Sequence, residues 1–94
     1  MAEALFGMRH TPAARGPKIS PEIAFGRVLR ALRREQGVSQ DELGARSGYH
    51  RTYIGQLERG EKSPSLRTLF NLAATLGVAP SRIVRESERM TSGN

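Results

Sequence analysis

The chain has 94 residues and carries 15 Lys and Arg against 9 Asp and Glu, a formal net charge of +6 at pH 7 with a sequence pI near 11.1. That length supplies one small hydrophobic core and excludes the second layer and lid of an ordinary enzyme cleft, while the basic excess points to a polyanionic partner, nucleic acid first. With no cysteine, disulfides and thiolate zinc sites are excluded, and the isolated His10 and His50 form no metal site, so neither metal nor cofactor is expected.

Residues 1–19 show no sustained periodicity and contain Pro12, Gly16 and Pro17, which oppose a continuous helix. They read as a flexible basic arm in which Arg9, Arg15 and Lys18 outnumber Glu3. The opening MAEALFGMRH lacks the apolar run of a signal peptide, and no run of about 18 apolar residues suits a membrane span, so a cytoplasmic protein without a membrane partner is expected.

A domain is expected over 20–86. Ser20-Pro21-Glu22 combines an N-cap hydroxyl, a proline at the first helical position and an early carboxylate, and predicts a first helix to about Gln36. Phe25, Val28, Leu29 and Leu32 form its buried stripe, with Arg27, Arg30 and Arg34 toward solvent, and Gly37 stops it. Ser39-Gln40-Asp41-Glu42 has the form of a capping box and opens a short second helix ending near Ser47. Gly48 turns the chain into a third helix over about Arg51 to Arg59, closed by Gly60. Leu43, Gly44, Ile54 and Leu57 are spaced for two helices crossing at a tight turn. Ser65 caps a fourth helix, with Leu66, Leu69, Phe70, Ala73 and Leu76 at core spacing and Gly77 as its stop. Pro80 opens a fifth helix bearing Ile83 and Val84, and 87–94 reads as a polar tail. No stretch alternates with the period of a strand, so the fold expected is an all-α bundle of five short helices.

In the third helix Ile54 and Leu57 turn inward, leaving Arg51, Thr52, Gly55 and Gln56 on the opposite side. Arg51 suits guanine O6 and N7, Gln56 suits adenine, and Thr52 suits a thymine methyl or a base edge. Gly55 costs a helix interior about 1 kcal/mol relative to alanine and, if outward, admits close approach of DNA. Gln40 opens the second helix, where its amide and the free backbone N–H groups suit a phosphate.

Three segments, LRALRREQGVSQDELG, the LERG that ends the third helix, and SPSLRTLFNLAATLGVAP, resemble the Cro and lambda-repressor type of helix-turn-helix regulators, the xenobiotic-response-element family. The resemblance covers about Ile23 to Val84, and HRTYIGQLERG is similar to the third helix of restriction-modification controller proteins. It implies a compact lambda-repressor-like fold and a transcriptional regulator of double-stranded DNA, with Arg51, Thr52 and Gln56 at reading positions. By family position His50, Tyr53, Arg59 and Lys62 join Gln40 as phosphate contacts, and Arg33 and Glu58 form an internal ion pair. His50 stands where relatives usually carry a Ser or Thr cap, and Tyr49 replaces an aliphatic turn residue, its ring expected at the core edge.

A homodimer on a pseudo-palindromic operator follows, with Val78, Ile83, Val84 and Met90 as its apolar surface. The alternative is an antitoxin-like module that binds a protein partner and uses DNA binding for autoregulation. No set of nucleophile, base and orienting group is present, so no enzymatic activity is expected.

Overall fold

Pro21 takes the first helical position behind Ser20, whose hydroxyl accepts from the Ile23 amide at 3.1 Å, and α1 runs Pro21–Glu35. In the computed structural model, which describes residues 19–92, it is followed by α2 (Gln40–Ser47), α3 (Arg51–Glu58), α4 (Leu66–Leu76) and α5 (Pro80–Ser92). The described residues form five helices and no strand. The arm expected over 1–19 lies, except for Ile19, outside the described residues.

The expected start and stop signals operate as hydrogen bonds. Ser39 and Glu42 form the reciprocal capping box of α2, at 3.0 and 3.2 Å, and Ser65 caps α4 through the Thr68 amide at 3.0 Å. Gly48, at φ 86, turns α2 into α3 in a left-handed conformation that other residues adopt only at a cost. The last turns of α1 and α4 are tied together by Gln36 Nε2, which donates to the Leu76 carbonyl at 2.7 Å.

Val28, Leu29 and Leu32 of α1 meet Leu43 of α2, Ile54 and Leu57 of α3, Leu72 and Leu76 of α4 and Ile83 of α5 in one core. Each such side chain contributes about 1.5–3 kcal/mol by leaving water. Two glycines set how closely the helices cross. A Cβ on Gly44 would collide with the Tyr49 carbonyl, and one on Gly26 would lie against the carbonyls of Leu57 and Glu58. Gly44 was legible as a small crossing contact; Gly26, in the middle of α1, was not.

The fourth and fifth helices differ from the sequence reading. Leu66 and Phe70, expected in the core, are 71% and 54% exposed, while Thr68, Leu72, Ala73 and Leu76 are buried. Apolar residues occupy most of the circumference of α4, so spacing alone does not select the side that α2 and α5 cover. Ile83, expected at a dimer surface, is fully buried in the core. Residues 87–92, expected as a polar tail, continue α5, supported by the Arg82–Glu86 pair at 2.8 Å and by Ser87 Oγ donating to the Ile83 carbonyl at 2.8 Å.

Candidate nucleic-acid interface

Ile54 and Leu57 hold α3 by its inner face, each fully buried, and the turn before it is anchored on α4. The Asn71 amide donates to the Ser47 carbonyl at 3.1 Å and to the Tyr49 hydroxyl at 3.2 Å. The Tyr49 hydroxyl donates to Thr68 Oγ1 at 3.3 Å. Tyr49 packs against the core edge as expected, and Tyr53 stacks obliquely on it at 5.3 Å between ring centroids. The Tyr53 hydroxyl has no hydrogen-bond partner among the described residues.

His50 supplies the cap of α3. Its Nδ1 accepts from the Thr52 amide at 3.0 Å, the job a Ser or Thr oxygen usually does. An accepting Nδ1 leaves the proton of the neutral ring on Nε2, which is free to donate outward. The expected departure from capping chemistry is thus a change of atom type rather than a lost cap.

Arg51 and Thr52 are exposed and Gln56 is half-buried. None of the three side chains has a hydrogen-bond or ionic partner among the described residues. They are one row of donors and acceptors on a helix whose other face is fixed.

Gly55 does not lie on that open row. It is buried, and a Cβ there would sit 3.1 Å from Arg59 Nη1 and 3.5 Å from Gln40 Oε1. Gly55 is covered in this structure by two long side chains that fold across it, one from the preceding helix and one from a turn beyond. Counting positions around α3 gave its direction; it gave no sign of what lies on top.

Arg33 and Glu58 meet in a bidentate pair, Nε to Oε2 at 2.6 Å and Nη2 to Oε1 at 3.0 Å, with side chains only 11% and 3% exposed. Arg33 Nη1 also donates to the Val38 carbonyl at 2.9 Å. Glu58 holds the Arg33 guanidinium above its already high ordinary pKa. Gln40 belongs to the same network: its Nε2 donates to Glu58 Oε1 at 2.9 Å. The amide expected on phosphate is turned inward, because the buried carboxylate oxygen has capacity for a second donor. What Gln40 leaves toward solvent is the open N-terminus of α2.

Arg59 is also engaged. Its Nε and Nη2 meet the two carboxylate oxygens of Glu61 at 2.7 and 3.3 Å, with both side chains about half exposed. The guanidinium holds the Glu61 carboxyl below the usual carboxylate range. Lys62 is exposed and without an ionic partner among the described residues. On the far side of the domain Leu66, Phe70 and Val84 are exposed beside Leu69 and Pro80, lining an apolar groove between α4 and α5, with Met90 37% exposed farther along α5. Val78, expected on a dimer surface, packs partly buried against the core.

A helix-turn-helix family model, HTH_3, matches residues 29–83, more than half of the chain. An HTH-type transcriptional regulator of Sinorhizobium fredii, y4dJ, is 42% identical over 62 residues, covering 66% of this chain and 80% of that protein. The restriction-modification controller C.AhdI of Aeromonas hydrophila superposes with a TM-score of 0.64 at 39% identity, over 65% of this chain and 92% of the controller. The clp gene regulator ClgR of C. glutamicum gives a TM-score of 0.72 at 30% identity, over 76% and 92%.

Proposed function

Because this chain belongs to the HTH_3 helix-turn-helix family of DNA-binding transcriptional regulators, we propose that it recognises a specific duplex sequence with α3 in the major groove, as a homodimer. The observation that carries the reading is the row of Arg51, Thr52 and Gln56, unpartnered on a helix held rigidly from behind. Arg51 reads guanine, Gln56 adenine, and Thr52 a thymine methyl or base edge.

The open N-terminus of α2, the outward Nε2 of His50, the Tyr53 hydroxyl, Arg59 and Lys62 seat the domain on phosphates, fixing register rather than sequence. Two domains pair through the apolar groove formed by Leu66, Phe70 and Val84, extended by Met90. Reading helices spaced about 34 Å apart then meet successive turns of one DNA face. Leu66 and Phe70 take the place of Ile83 and Val78 in that surface, since the latter two are used within the monomer.

Selection of bound duplexes from a random pool, followed by titration at several salt concentrations, tests the reading. A symmetric motif bound with steep salt dependence is expected; equal binding to every duplex would overturn it.

A further inference from the structure

On the proposed reading of α3 as the groove-facing helix, one carboxylate stands where DNA phosphate is needed. Arg59 lies across Gly55 beside Gln40, on the shoulder between the reading row and the N-terminus of α2. Its Nε and Nη2 are occupied by Glu61 in the two-point geometry that a guanidinium also offers a phosphate.

The backbone builds this arrangement. After α3 the Gly60 amide donates to the Leu57 carbonyl at 3.1 Å and the Glu61 amide to the Gln56 carbonyl at 2.9 Å. That turn, with Gly60 at φ 75, folds Glu61 back alongside Arg59. Glu61 has no other ionic partner among the described residues, and its side chain is about half exposed.

We propose that Glu61 is an internal counterion of Arg59 that DNA phosphate must displace, so that it lowers affinity for every duplex alike without contacting a base. The pair is solvent-exposed and therefore weak enough to open. Once open, it leaves Glu61 beside the phosphate chain, where it retains a cation and offsets part of the counterion release that drives binding. Because phosphates are the same in every sequence, the ratio of specific to non-specific affinity is untouched.

The test is a double-mutant cycle on DNA affinity, with the selected duplex and a scrambled one, at several salt concentrations. E61Q is expected to tighten both duplexes about two- to fivefold, the fold-change corresponding to an exposed ion pair, and to steepen the salt dependence. In an R59A background the same change is expected to give no gain, since the cation it releases is gone. Wild-type binding with no gain in E61Q, or an equal gain in both backgrounds, overturns the counterion role and leaves DNA recognition standing. Absence of binding by both wild type and E61Q overturns the DNA-binding reading, and this role with it. Circular dichroism of each variant separates loss of fold from loss of binding.

Discussion

Arg33 and Glu58 are 25 residues apart in sequence and closed at 2.6 Å in space, joining α1 to the end of α3 beneath the candidate DNA surface. The pair does more than bridge two helices, because Gln40 of α2 bonds the same carboxylate at 2.9 Å. One buried Glu58 therefore sets the positions of three helices.

Removing that carboxylate leaves Arg33 partly buried without its partner. Glu58→Ala is expected to destabilise the domain by about 3 kcal/mol or more in urea denaturation. Replacing both members with methionine is expected to recover part of the loss, since no charge is then stranded.

His50→Ala is expected to cost about 1 kcal/mol, the usual value of a lost N-cap. His50→Ser, which restores an accepting oxygen, should return the urea midpoint to near wild type. Equal midpoints for wild type and the alanine variant would show that the imidazole does not cap α3.

Gly26 and Gly55 are both helical and buried, but their neighbours differ in what can give way. Gly26→Ala forces a methyl onto the carbonyls of Leu57 and Glu58, and a loss of about 1–3 kcal/mol is expected. Gly55→Ala meets the end of the flexible Arg59 side chain, so the helix-propensity gain of up to about 1 kcal/mol dominates. Thermal melts of the two variants should shift in opposite directions.

Arg51→Ala removes an exposed side chain without an internal partner, so the melting temperature is expected to stay unchanged. DNA affinity should fall by about 1–3 kcal/mol, with preference relaxed at one base position in a repeated selection. An unchanged selected motif would remove Arg51 from the reading row.

Phe70→Asp places a charge in the apolar groove between α4 and α5, at a position already 54% exposed. The fold should survive, and sedimentation is expected to report a dimer for the wild type and a monomer for the variant. A variant that still dimerises would exclude this face.

The starts of all five helices and the ends of the first four were legible in the sequence because each is written in local chemistry, whereas the polar end of α5 carries no stop signal and reads as a tail. Ser20, Ser39 and Ser65 cap neighbouring amides, and Gly37, Gly48 and Gly77 adopt positive φ where a helix stops. The resemblance to the regulator family rested on the segments LRALRREQGVSQDELG, LERG and SPSLRTLFNLAATLGVAP. What tertiary structure alone decided was which atoms are already spoken for. Gln40 faces Glu58, Gly55 lies under Gln40, and Ile83 is core while Phe70 is not. Local periodicity gives a side chain its direction from the helix axis, but its partners lie up to tens of residues away, and only packing brings them together.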